Sequence, residues 1–310
     1  MPFESFDSMD YSAARAPGQD GQKPPAHALG MRPMVYIGTG WYAGAAADAR
    51  VNAAGAFAAG GRIPPGSLVM LDFEPWLHRM IDWSGRNLAP HADRARFAAA
   101  ISRTVYLVRA ACPSATIVTY QSLVGTFNAD NGDAWLRAYR DTNEAVYIEP
   151  HPGAPNGIGN LFDAAAVSFY RCYSDQRANT RRVEGLAAEA RRLYPEKRLL
   201  SVLWERYPQS YDVAALRFDI MEPPHIADMI GLSRRLADSE IWWGSNLYGR
   251  KGLVPAERNK FGYAVEGGNG WDDSAPWWQE ARKWLPIPSN HTIDAASPGP
   301  TFRRREDREA

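Results

Sequence analysis

Two carboxylates, Asp72 and Glu74, close the run LVMLDFEPW (68–76), with Phe73 between them. Four apolar residues lead into the pair and Pro75 ends the pattern. Strand side chains alternate faces, so Asp72 and Glu74 share one face and Phe73 takes the other. If Phe73 packs outward against helices, both carboxylates point to the same interior mouth. Two carboxylates this close do not ionise independently. One keeps its proton to higher pH and is prepared to act as a general acid near neutrality. That chemistry suits cleavage of a glycosidic bond, which needs a protonated leaving oxygen and a stabilised cationic sugar ring. The structural alternatives are ion pairing to arginines or metal binding, because Asp-x-Glu is a short motif.

The elements that must position the pair alternate along the chain. Apolar, β-branched or aromatic runs at 33–38, 67–74, 116–122, 164–173, 197–207 and 239–246 read as strands, and EAVYIEP (144–150) offers a seventh. Helical spacing appears at 46–61, 91–111, 179–195, 223–238 and 274–285. Strands alternating with helices of this length mean βα units around a mainly parallel sheet. The segments DFEPW, TYQS, FYRCY, WERY and WWGSN all turn polar and aromatic at their C-terminal ends. In a (β/α) barrel those ends converge on one face, where barrel enzymes carry their sites. An α/β fold of the closed, TIM-like barrel type is therefore expected over 34–285. Residues 1–33 are expected to form an irregular arm and 286–310 a polar tail. A doubly wound nucleotide fold would need a Gly-rich first turn, and GTGW (38–41) is too short a match.

Composition narrows the function classes. The 310 residues carry 35 Lys and Arg against 35 Asp and Glu, so the formal charge is zero. A general nucleic-acid binder usually has a basic excess, and no nucleic-acid partner is expected. No apolar run is long enough to span a membrane, and no signal peptide is visible at the start. A cytoplasmic location is the default expectation, with secretion or virion association by an unrecognised route as the alternative. Cys112 and Cys172 are too few for a disulfide framework and read as free thiols. No Cys/His spacing suggests zinc, so neither metal nor cofactor is expected.

With these elements in order, the chain resembles the hyaluronidases of venom and mammalian tissue. LDFEPWLHRMIDWSG (71–85) carries the resemblance most strongly, with its Asp-x-Glu at a strand end followed by Trp76 and Trp83. NAAGAFAAGGRIPPGSLVMLDFE resembles the preceding helix and the Ile-Pro turn. VSFYRCY, SVLWERYPQSYD and EIWWGSN resemble later strands in the same order. The resemblance covers roughly 34–285 and implies a distorted barrel of about seven strands. It implies retaining cleavage of a β-linkage after an N-acetylhexosamine, in which the substrate's own acetamido oxygen attacks the anomeric carbon. Carried over by motif, Glu74 is the acid and then the base, and Asp72 orients the acetamido group. Tyr120, Tyr173 or Tyr170 would hydrogen-bond the acetamido oxygen. Arg206 matches the strand arginine and Trp243 would form a sugar-stacking floor. The disulfide cysteines of secreted members are absent. The arginines form no evident groove for a polyanion, so another amino-sugar polysaccharide or oligosaccharide is the expected substrate.

Other residues carry weaker alternatives. Glu205 could be the nucleophile of a conventional retaining glycosidase, facing Glu74 across the mouth. It could equally be an ion-pair partner of Arg206; the two cannot both face inward without a bulge, and Arg206 is the expected inward residue. A barrel that binds a glycan without cleaving it is the reading from another class. Glu149 and His151 are expected in a loop ion pair or cap. Trp41, Trp76, Trp277 and Trp278 serve as core more often than as sugar platforms, although Trp76 also stands beside the carboxylates as a substrate-binding candidate.

Overall fold

The computed structural model describes residues 3–9, 26–37, 63–73, 89–120, 122–123, 131–208, 210–217, 219–244 and 275–286. Seven strands pair in parallel and in sequence order: β1 (Glu4–Met9), β2 (Arg32–Ile37), β3 (Leu68–Leu71), β4 (Thr116–Thr119), β5 (Ala164–Ser168), β6 (Arg198–Trp204) and β7 (Ser239–Gly244). The last returns to the first, so the sheet is a closed barrel. Closure removes both sheet edges, which would otherwise expose unpaired backbone groups.

Strand alternation divides the core into two layers. Phe6, Leu68, Met70, Val118, Ala164, Ala166, Leu200, Val202 and Ile241 fill the barrel interior. Their neighbours Val35, Val69, Leu71, Ile117, Ala165, Val167, Leu199, Leu203 and Trp242 face the helices. All four residues of β3 are buried, as expected for a parallel strand covered on both faces.

The helices supply the outer cover: α1 (His91–Ala111), α2 (Gly132–Tyr147), α3 (Gln176–Leu193), α4 (Pro223–Leu236) and α5 (Pro276–Arg282) among the described residues. α1 buries Phe97, Ile101, Val105 and Val108, one stripe at three- and four-residue spacing. α3 begins where the Asp175 side chain accepts from the N–H of Ala178 at 2.6 Å. α4 opens on Pro223, whose fixed φ suits a first turn. On α5, Trp277 packs 6.2 Å from Trp242, so Trp277 and Trp278 are core residues.

Two expectations fail. Residues 1–33 are not wholly an arm, because Glu4–Met9 is the strand that closes the barrel. It pairs with β7 over six residues and meets β2 through Phe6 and Asp7. ESFDSM hides its role because its buried outer face is polar. Ser5 donates to Glu240 at 2.7 Å, and Arg32 and Arg198 both hold Glu4. Burial pushes Glu4 up, but the two arginines outweigh it and leave the carboxyl below its usual range. The second failure is EAVYIEP. It is the end of α2 and the turn beyond, not a strand. Gly157, at φ 81°, then lets the chain fold against that helix end. A Cβ there would lie 2.6 Å from the carbonyl oxygens of Tyr147 and Ile148.

The expected helix at 46–61 and the tail from 287 onward lie outside the described residues. No described helix is long and apolar enough to cross a membrane.

Candidate active site

β3 ends at the mouth with its alternation intact. Asp72 continues the inner series of Leu68 and Met70, and its N–H still donates to the Ile37 carbonyl at 3.0 Å. Phe73 turns the other way and meets the edge of Phe97 on α1, with ring centroids 6.3 Å apart at 88°. Asp72 is 2% exposed, and the Tyr36 hydroxyl of β2 donates to its Oδ2. A carboxylate removed from water needs such charge-assisted donors to stay ionised. Glu74 and Trp76 lie outside the described residues.

The next strand brings a phenol to the same level. The Tyr120 N–H donates to Leu71 at 2.9 Å, which sets Tyr120 beside Asp72 across β3 and β4. The hydroxyls of Tyr120 and Tyr170 are 2.9 Å apart. Ser168 donates to the Tyr120 hydroxyl at 3.2 Å. Beyond Tyr170 stands a wall of rings. Tyr170 lies 5.7 Å from Trp204 and 6.4 Å from Trp243, the latter pair stacked within 29°. Trp204 and Trp243 meet edge to face at 5.0 Å. Tyr173 packs partly buried against the same cluster. The barrel mouth therefore joins a carboxylate, two linked phenols and three large rings. Ring faces of this kind hold the C–H faces of a sugar, while the hydroxyls supply directional hydrogen bonds.

Glu205 and Arg206 follow Trp204 and divide between faces. Leu203 and Tyr207 both lie in the helix-facing layer, and Glu205 falls between them in the alternation. It is buried, with Arg206 Nε 3.4 Å from its Oε1. Arg206 falls on the Trp204 side and bridges to Ile220. Behind them Tyr207 bonds His225 Nδ1 at 2.6 Å. Burial, then the Arg171 charge, lowers the His225 pKa. Burial also raises Asp219, a shift that Arg206 opposes.

Three residues of this mouth escape a motif-led reading: Tyr36, Ser168 and Trp204. Each was available from alternation, since Tyr36 follows Met34, Ser168 follows Ala166 and Trp204 follows Val202 at two-residue spacing. Glu149 pairs with Arg94 of α1 at 3.3 Å, and His151 lies 6.0 Å from His91. Both belong to the loop packed on α1. Cys112 and Cys172 are buried free thiols. Among the described residues, no cluster of three or more His, Cys, Asp or Glu could hold a metal ion.

The chain matches no protein-family model, and no curated protein sequence matches it. Among solved structures it is similar to bee venom hyaluronidase in complex with a hyaluronic acid tetramer. That match has 15% identity and a TM-score of 0.40, over 58% of this chain and 62% of that one. It is also similar to endo-1,4-beta-mannanase from Eisenia fetida, with 11% identity and a TM-score of 0.37. This second match covers 76% of this chain and 56% of that one. The chain thus spans less than two thirds of the length of either.

Proposed function

We propose that the protein is a glycoside hydrolase acting at the barrel mouth. In this reading it cleaves the β-linkage after an N-acetylhexosamine of a polysaccharide or oligosaccharide, with retention. The observation that carries the reading is the inward, buried Asp72 beside the Tyr120–Tyr170 hydroxyl pair and the Trp204–Trp243 wall.

Each residue then has a task. Glu74 protonates the glycosidic oxygen as the bond to the anomeric carbon breaks. The substrate's acetamido oxygen forms a bond to that carbon from the opposite face, giving a cyclic oxazolinium. Asp72 accepts the acetamido N–H and stabilises its developing positive charge. Tyr120 or Tyr170 orients the acetamido oxygen, and Trp243 holds the ring. Glu74, now ionised, takes a proton from water, which opens the cyclic ion and restores the original anomeric configuration. Glu205 is less suited to the nucleophile of a conventional retaining scheme, because the β6 alternation gives the mouth to Trp204.

A thiazoline that mimics the cyclic intermediate tests this scheme by calorimetry. The expected result is binding at least 100-fold tighter than the parent amino sugar, in line with transition-state and intermediate analogues. Asp72→Asn should weaken it by at least tenfold, and Glu205→Gln should leave it unchanged. A thiazoline that binds no better than the parent sugar would reject substrate assistance.

A further inference from the structure

We propose that Tyr36 is a positioning residue for the carboxyl pair: its phenol keeps Asp72 ionised and fixed in orientation at the mouth. The inference rests on the glycosidase reading above and adds a residue to it. Tyr36 stands on β2, on the interior face shared with Met34, and its hydroxyl donates to Asp72 Oδ2. The ring is 38% exposed, so it rises toward the opening and is not part of the packed barrel floor. A donor on one carboxylate oxygen fixes the plane of the group, and it favours the charged form over the neutral one.

The groups facing Asp72 make that bias consequential. Among the described residues, the strands on either side bring Tyr36 of β2 and Tyr120 of β4 beside it, and Glu74 follows two residues on in the sequence. Of two neighbouring carboxyls, the one with the stronger donor ionises first, and the other keeps the shared proton. On the glycosidase reading, in which Glu74 is the acid beside Asp72, a donor on Asp72 leaves the proton to Glu74. Removing the phenol would blur this division of labour without removing either carboxyl.

The test pairs a titration with kinetics. Carbon-13 labelling of aspartate carboxyls, with Asp72 assigned by its loss in Asp72→Asn, follows the ionisation of Asp72 directly. In Tyr36→Phe the proton affinity of Asp72 should rise roughly tenfold, one pH unit in its titration midpoint. A fluorinated, more acidic tyrosine installed in place of Tyr36 should move the midpoint the other way. On a cleaved glycan, Tyr36→Phe should lower kcat by tenfold or more with KM changed less than threefold. It should also shift the acid limb of the pH profile upward. An unmoved Asp72 midpoint, or unchanged kcat and pH limbs, would overturn the proposal. Failure of the glycosidase reading has a different signature: wild-type protein that cleaves nothing, whatever the titration shows.

Discussion

Asp72 faces the barrel mouth only if Phe73 is anchored on the other side, and that anchor has a measurable strength. Phe73 is 2% exposed and meets Phe97 edge to face at 6.3 Å. Transfer of the ring from water contributes about 1.5–3 kcal/mol. The edge-to-face pair adds roughly 0.5–1.5 kcal/mol, and a cavity left between β3 and α1 adds its own cost. Phe73→Ala should therefore destabilise by about 3–5 kcal/mol, and Phe73→Leu by about 1–1.5 kcal/mol. Urea denaturation followed by tryptophan fluorescence gives both values as shifts in midpoint at constant slope. A double-mutant cycle between Phe73→Leu and Phe97→Leu should return a coupling of about 0.5–1.5 kcal/mol. A Phe73→Ala cost under about 1 kcal/mol with no coupling to Phe97 would mean that Phe73 does not pack outward. The alternation that aims Asp72 inward would fall with it.

Three further outcomes are expected. Burial raises the pKa of Glu240 despite its bonds to Ser5, Ser233 and Trp242. A raised folded value means that its contribution is full below the unfolded value of about 4.5 and is lost as pH rises through the folded value. Glu240→Gln should thus flatten the pH dependence of stability above pH 4.5, measured by thermal unfolding across a pH series; an unchanged slope would contradict this. His151 and His225 are both shifted downward, first by burial. Their contributions are full above the unfolded value of 6.5 and are lost as pH falls through the lowered folded values, so His225→Asn should reduce the loss of stability on acidification. Trp243→Ala should weaken glycan binding about tenfold, about 1.4 kcal/mol, by calorimetry, because it removes one face of the ring wall.

The barrel was legible because parallel strands buried on both faces leave dense apolar runs, and β3 to β7 all carry one. β1 was not, because its buried outer face is built from Ser5 and Asp7. Such a face reads as loop until Glu240, 235 residues away in sequence, is seen to accept from Ser5. The last turn of α2 misled for the opposite reason. EAVYI is a short apolar run, which periodicity alone cannot assign to helix or strand. The helix also buries Thr142 and Asn143, whose side chains bond back to the carbonyls of Ala138 and Tyr139. In the mouth, attention to carboxylates and matched motifs drew notice to Glu205 and away from Trp204. Arg206 was the expected inward residue, and counting back by two from it reaches Trp204, which the motifs left unnamed. For Tyr36, alternation gives the inward face it shares with Met34, but nothing in PMVYIG gives its partner 36 residues on.

The most direct test is product release from hyaluronan, chondroitin, chitin oligomers and peptidoglycan, with wild type beside Glu74→Gln, Asp72→Asn and Glu205→Gln. The expected result is cleavage of at least one polymer, lost by at least 1,000-fold in Glu74→Gln, strongly reduced in Asp72→Asn and retained in Glu205→Gln. Absence of cleavage from every polymer, with glycan affinity unchanged in Glu74→Gln, would contradict the account and make the mouth a binding site without chemistry.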